Sequence, residues 1–376
     1  MKWDTKPLSN FCSLVNGKAF KSDDWSESGL PIIRIQNLND STKPFNYWSG
    51  ALDKQVHIKK GDLLFAWSGT PGTSFGAHMW SGPEGVLNQH IFRIDVENNK
   101  VTKDWLKFCL NYQLLNLIDQ AHGGVGLKHV TKGAVESILI PLPTLAEQKR
   151  IAGILDAADD LRAKRRESLA QLDTLLQSTF LDMFGDPVTN PKGWVQEPLT
   201  DAVELINGRA FKSSEWSEKG LPIIRIQNVK NIEESYNRYE GYYDKKHLVK
   251  NGDILFCWAG QLVSIGVYQW NREDGLLNQH IFKVIPRFKG EPSFVTYMLG
   301  TIIEKAKLSF RGIEMKHLTK ADLSRQMITI PPLELQHRFA TIVESIEKQK
   351  SQLRSHLAEL DTLFASLQSR AFNGEL

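Results

Sequence analysis

Cysteine is scarce in this chain of 376 residues, which has only Cys12, Cys109 and Cys257. Three scattered thiols form neither a disulfide framework nor a paired-cysteine zinc site, and they fit a reducing compartment. No run of 18 apolar residues occurs, so no membrane-spanning helix is expected. The opening MKWDTKPLSN lacks the apolar core of a secretion signal, and a cytoplasmic location is the simplest expectation. Neither sign of charge dominates, since 46 Lys and Arg against 43 Asp and Glu leave a net +3. Catalytic signatures are missing too. Gly69–Gly76, GTPGTSFG, lacks the Lys of a phosphate loop, and there is no GxGxxG between a strand and a helix. HExxH, paired Cys ligands and the Asn/Asp-Pro-Pro-aromatic tetrapeptide of amino-methyltransferases are equally absent. No catalytic or metal-ligating residue is assigned, and a free-standing nuclease or methyltransferase has no motif to support it.

What the chain does have is itself, twice. Asn16–Leu38, NGKAFKSDDWSESGLPIIRIQNL, returns as NGRAFKSSEWSEKGLPIIRIQNV at Asn207–Val229. GDLLFAWSG (61–69) returns as GDILFCWAG, LNQHIF (87–92) returns unchanged, and KHVTK (128–132) returns as KHLTK. PTLAEQ (143–148) returns as PPLELQ. The repeat is a whole domain plus a helix, which excludes a solenoid. Residues 1–144 hold 15 basic and 13 acidic residues, and 184–332 hold 20 and 17. The two helical segments hold 6 against 7 and 5 against 6. The small positive excess thus lies in the globular parts, compatible with globular parts that meet phosphate and helices that meet protein.

Those helices are the organising feature. Ile151, Leu155, Ala158, Arg162, Arg165, Leu169, Leu172, Leu176, Thr179 and Met183 form a ladder of period 3.5. Adding 188 gives Phe339, Val343, Ile346, Lys350, Leu353, Leu357, Leu360, Phe364, Leu367 and Ala371. Each helix would span roughly 57 Å at 1.5 Å per residue. Parallel helices would oblige the second globular part to bridge that length, so an antiparallel pair with an internal pseudo-twofold axis is expected. Basic Arg162 and Lys350 share a rung and are expected to snorkel past the seam. Ile154, Leu161, Leu175, Ile342 and Leu363 lie on other faces and offer a platform for partners. Within each globular part, Leu30–Gln36, Asp62–Trp67 and His90–Val96 read as strands, as do Leu221–Gln227, Asp253–Trp258 and His280–Ile285. Trp105–Gln120 and Phe294–Lys307 read as helices. The fold class is therefore α+β: two similar domains of mixed sheet plus helices, with two long helices as an antiparallel coiled coil. The expected boundaries are 1–144, 145–183, 184–332 and 333–376.

The loops carry material for reading nucleic acid. Lys18, Phe20 and Lys21 with Trp25, and Arg209, Phe211 and Lys212 with Trp216, interleave cations and aromatics. Arg34, Gln36 and Asn37, and Arg225, Gln227 and Asn228, supply forked or amide groups of the kind that pair with guanine or adenine edges. Ser68, Thr70, Thr73, Lys128, Gln261, Ser264, Arg311 and Lys316 complete the DNA-binding candidates. His90, His280, His129 and His317 lie in repeated motifs and are expected to fix loops by hydrogen bonds. Residues identical in both copies cannot discriminate different half-sites, so they should serve the scaffold, phosphates or a shared base. Discrimination should lie where the copies diverge: 39–50 against 230–241, 68–80 against 259–270, and 121–127 against 309–315.

KHVTK leading through ILIPLPTLAEQKRIA (128–152), MFGDP (183–187), KHLTK through ITIPPLELQ (316–336) and the terminal AFNGEL together resemble the specificity (S) subunit of a type I restriction–modification system. The resemblance covers the whole chain. Leu335, where the first copy has Glu147, departs from the shared pattern. The resemblance implies two target-recognition domains and a helical spacer without catalysis of their own. Ile151, Leu155, Leu169, Leu172, Phe339, Val343, Leu357 and Leu360 would form the spacer and dock partners. Those partners would be two methyltransferase (M) subunits, which modify adenine with S-adenosylmethionine, and two restriction (R) subunits, which use ATP and Mg. The chain itself would need no cofactor. The DNA would be double-stranded and bipartite, one half-site per domain, read in inverted orientation, and the long identical stretches predict similar half-sites. The rival from another class is a coiled-coil adaptor with protein-binding ends.

Overall fold

The computed structural model describes residues 3–40, 42–51, 53–69, 75–97, 99–119, 128–231, 234–260, 264–308 and 320–376. The chain divides into two compact units, Met1–Arg166 with Ser355–Leu376, and Glu167–Arg354. Each unit holds one globular part and a stretch of both long helices.

The first unit contains two four-stranded sheets. One is antiparallel, in the order Cys12–Asn16, Ile91–Val96, Leu63–Ala66, Gly76–Met79. The other runs Asn46–Trp48, Leu30–Ile33, Gly85–Leu87, His57–Ile58, with a parallel central pair. The second unit repeats both orders. Its antiparallel sheet is Val203–Asn207, Ile281–Pro286, Ile254–Cys257, Gly266–Gln269. Its mixed sheet is Arg238–Tyr239, Leu221–Ile224, Gly275–Leu277, Leu248–Val249. The repeated GD-[LI]-LF strand is apolar without alternation because it is covered on both faces. Leu63 and Phe65 enter one core and Leu64 the other. Ile254 and Phe256 likewise separate from Leu255 and Cys257.

The predicted strands over LPIIRIQ are shorter than expected. They end at Ile33 and Ile224, and Ile35–Asn39 and Ile226–Lys230 are short helices. Asn37 Oδ1 accepts from the Arg34 backbone N–H at 3.1 Å, and Asn228 does the same for Arg225 at 3.1 Å, so an asparagine closes the turn that stops each strand. Gly17 and Gly208 recur because a Cβ there would sit 2.0 Å from the carbonyl oxygen of Asn88 or Asn278. Only glycine lets the NG turn lie against the NQH loop.

The long helices run Leu145–Phe184 and Leu333–Asn373. Each is anchored by a buried glutamine from the repeated motif. Gln148 accepts from Thr102 N–H (2.9 Å) and donates to Pro143 O (3.0 Å); Gln336 accepts from Glu291 N–H (2.9 Å) and donates to Pro331 O (2.8 Å). The first helix stops where Gly185 adopts φ 76°. In the first unit the helix segments are antiparallel: Arg150 donates to Leu376 O and Arg162 to Asp361. In the second unit, Asp173 meets Lys350 and Phe180 meets Phe339, again antiparallel.

The ladder holds at Ile151, Leu155, Leu176, Phe339, Val343 and Ile346, all buried, whereas Leu169, Leu172, Leu353, Leu357 and Leu360 are half-buried. Towards the end of the first helix the buried positions are Phe180 and Phe184, one residue beyond the expected rungs Thr179 and Met183. A helix of 3.6 residues per turn drifts off a 3.5 ladder over several heptads, and here it turns its aromatics into the globular core beside Phe294.

Candidate nucleic-acid interface

At one corner of each mixed sheet a cation lies among aromatic rings. Lys18 Nζ sits 4.5 Å from the Trp48 ring and 5.6 Å from that of Phe20. Arg209 sits 4.7 Å from both Phe211 and Tyr239. The rings themselves meet edge-on, Phe20 with Trp48 at 5.5 Å and Phe211 with Tyr239 at 5.2 Å. The two cations differ in one respect. Asp24 and Glu215 each accept from a backbone N–H, of Lys21 or Lys212, at 2.8 Å, and Glu215, one methylene longer, also forms an ion pair with Arg209. Lys18 is exposed and has no carboxylate partner among the described residues.

Beside this corner, segments far apart in sequence converge. In the first unit Trp67 stacks on Phe92 at 5.6 Å and faces His90 (5.6 Å) and His129 (5.9 Å). Ser68 Oγ and His129 Nδ1 share a hydrogen bond of 2.9 Å. Burial, then the neighbouring His129 and Arg34, lowers the His90 pKa below 6.5, so the ring is neutral at pH 7. In the second unit Trp258 faces His280 at 6.0 Å and stacks on Phe282 at 5.5 Å. Gln89 and Gln279 each bond the following histidine. Ser68 and His129 stand at the distance of a nucleophile–base pair, but the Ser68 side chain is buried and no carboxylate bonds His129 among the described residues. Burial, with Glu97 and Asp95 adding to it, pushes Cys12 up to about 12, and burial does the same to Cys257, so neither thiol is poised to react.

The helix segments carry a second repeated constellation. Arg162 bonds Asp361 (2.6 Å) and Asp159 (2.7 Å) and lies 4.2 Å from the Phe364 ring. Lys350 bonds Asp173 (2.7 Å) and Glu347 (2.5 Å). The partners are themselves 188 residues apart, Asp173 with Asp361 and Asp159 with Glu347. The basic rungs therefore do not snorkel; each is clamped by one acid on its own helix and one on the facing segment. In the first unit a cavity of about 630 Å³ opens beside this clamp, lined among others by His78, Lys107, Asn111, Trp80 and Phe364.

A profile of the type I restriction modification DNA specificity domain matches residues 1–172 and again 191–360. The chain belongs to this family. It is a DNA-specificity subunit, a recognition component rather than an enzyme. It is 26% identical to the type I restriction enzyme EcoBI specificity subunit of Escherichia coli, over 100% of this chain and 86% of that one. It is 25% identical to the MjaVIII specificity subunit of Methanocaldococcus jannaschii, over 99% and 94%. The crystal structure of a type I restriction-modification S subunit from M. genitalium shares the fold, with TM-score 0.56 at 14% identity, covering 99% of this chain and 96% of that one.

Against this specificity-subunit fold the candidates divide. Lys18, Phe20, Lys21, Arg34 and Gln36 lie together at one sheet corner, as do Arg209, Phe211, Lys212, Arg225 and Gln227. Asn37 and Asn228 stand apart from the other candidates. Both are buried, and both spend their amides on backbone groups, Asn37 Nδ2 donating to Lys43 O (3.1 Å) and Asn228 Nδ2 to Ser235 O (3.0 Å), so they build the corner. Ser68 is also buried, its hydroxyl engaged with His129. Ser264 is half-buried behind Gly260. Lys128 opens a two-residue strand that pairs with Gly69. Thr70, Thr73, Gln261, Arg311 and Lys316 lie outside the described residues, as does His317. Trp48, Tyr239, Trp67 and Trp258 were missed. The tryptophans of GDLLFAWSG and GDILFCWAG could have been found, since they recur. Trp48 and Tyr239 sit where the copies diverge and only their aromatic character is shared.

Proposed function

We propose that this chain recognises a bipartite DNA target, one half-site per unit. The supporting observation is the same cation–aromatic corner built twice in one polypeptide, Lys18–Phe20–Trp48 and Arg209–Phe211–Tyr239, on one repeated sheet framework. Cations hold phosphates and fix register, while forked and amide side chains beside them address base edges. The long helices act as spacer and dock. Ile151, Leu155, Phe339 and Val343 fix the helix pairing. Leu175 and Leu363, 188 residues apart and both exposed, face outwards for methyltransferase subunits. Two such subunits, using S-adenosylmethionine on adenine, and two restriction subunits, using ATP and Mg, complete the complex. No helix among the described residues is long and apolar enough to cross a membrane, and we place the complex in the cytoplasm.

The test is fluorescence anisotropy of the chain, co-purified with its methyltransferase, on a labelled duplex. DNA recognition predicts that affinity falls steeply as salt rises, by roughly 0.9 log unit per log unit of salt for every phosphate contacted. Binding that ignores salt, or no binding to a duplex carrying the target, would favour the adaptor reading.

A further inference from the structure

Among the surface groups that the two units share is a tryptophan–arginine pair. Arg34 lies with its guanidinium 5.8 Å from the centre of the Trp25 ring, and Arg225 lies 4.9 Å from that of Trp216. The indoles are 46% and 42% exposed, unusual for the largest apolar side chain on a charged surface. Neither arginine has a carboxylate partner among the described residues. Both backbones are fixed, since each Arg N–H is held by the asparagine that closes the strand-to-helix turn.

This differs from the neighbouring cation. There the copies exchange Lys18 for Arg209, so that position asks for charge and not for shape. At 34 and 225 the planar fork is kept, within cation–π range of a kept tryptophan and followed two residues later by a kept, exposed glutamine, Gln36 or Gln227. A ring beside the guanidinium restricts its rotamers, the preorganisation that bidentate recognition rewards. A phosphate can also take the fork bidentately, but a point charge such as Lys18 serves it as well, so a position that keeps the fork, the ring and the glutamine together favours a base edge.

Resting on the reading of the chain as a bipartite DNA reader, we propose that Arg34 and Arg225 are specificity-determining residues that read the same base, a guanine, in the two half-sites. Each Trp–Arg pair presents the fork to guanine O6 and N7. The two halves of the target then share a G·C pair at corresponding positions, whatever else differs between them.

The experiment co-expresses the chain with its methyltransferase and maps modified adenines by single-molecule sequencing. The wild-type motif should carry a G·C pair at corresponding positions of both halves. Arg34→Ala should make that position degenerate in one half only, and Arg225→Ala in the other half only. Should the alanine variants abolish modification, Arg34→Lys and Arg225→Lys are compared in vitro on duplexes substituted at that pair. Discrimination should then drop about ten- to a hundredfold for the affected half alone. Weakening that is uniform across sequences, or an unchanged motif, overturns the assignment and makes these arginines phosphate contacts or scaffold. A wild-type motif that is not bipartite sinks the proposed function itself, a distinct outcome.

Discussion

Lys350 is 7% exposed and held between Asp173 at 2.7 Å and Glu347 at 2.5 Å. The acids are 64% and 42% exposed, so each keeps water on its outer side. Losing either acid alone leaves the ammonium one counter-charge, and Asp173→Asn or Glu347→Gln should each cost less than about 1 kcal/mol. Losing both strands a nearly buried cation, and the double variant should cost about 3 kcal/mol, well beyond the sum. Adding Lys350→Met to that background removes the charge but keeps an unbranched stem, and most of the loss should return. Urea unfolding followed by far-UV circular dichroism at pH 7 measures this, with the denaturant slope checked for constancy. Additive small losses, or no recovery with methionine, would show that the clamp contributes nothing and that the seam is held by its apolar rungs alone.

The remaining predictions concern docking, pH and spacing. Leu175→Glu and Leu363→Glu, on the exposed helix faces, should leave unfolding unchanged but weaken methyltransferase capture roughly tenfold or more, as burying one leucine is worth about 1.5–3 kcal/mol; unchanged capture in a quantitative pull-down would move the dock elsewhere. His78 has its pKa lowered from 6.5, first by burial and then by Lys107. The unfolded chain gains a proton there as pH falls through 6.5 and the native chain does not. This contribution is therefore full above pH 7 and lost as pH drops from about 6.5 towards the folded value, by at most about 1.4 kcal/mol per pH unit. His78→Tyr, the residue found at Tyr268 in the second copy, should flatten the melting temperature between pH 7 and 5.5; an undiminished slope would clear His78. Four residues inserted in one long helix add one turn, about 6 Å. They should change the unspecified gap in the methylation motif and leave both half-sites intact, whereas an altered half-site would argue against the helix as spacer.

The long helices were legible because the ladder repeats over ten rungs at a spacing of 188 residues, and an apolar period of that length has one structural solution. The strands were legible where a β-branched run follows Gly, as at Leu30, or an apolar run follows Gly-Asp, as at Leu63. Their ends were not. Ile35 carries the β-branched run of Leu30–Ile33 past Arg34, and only the Arg34 N–H bond to the Asn37 side chain shows that the strand has stopped. The same bond explains why an amide that reads as a base contact in sequence is buried. The clamps at Arg162 and Lys350 were half visible. The basic rungs stand out in an apolar ladder, but their acids lie off it, and only the antiparallel pairing joins Asp361 to Arg162 and Asp173 to Lys350. The convergence of Trp67, His90 and His129 rests on contacts between strands distant in sequence, which periodicity does not report.

The central claim is that one chain reads two half-sites. Sequencing the modified adenines in cells that carry this chain with its methyltransferase tests it most directly. Two readers on one spacer should give one motif of two short specified blocks separated by a fixed, unspecified gap, with modified adenine in both blocks. A single contiguous motif, or modification without sequence preference, would contradict it.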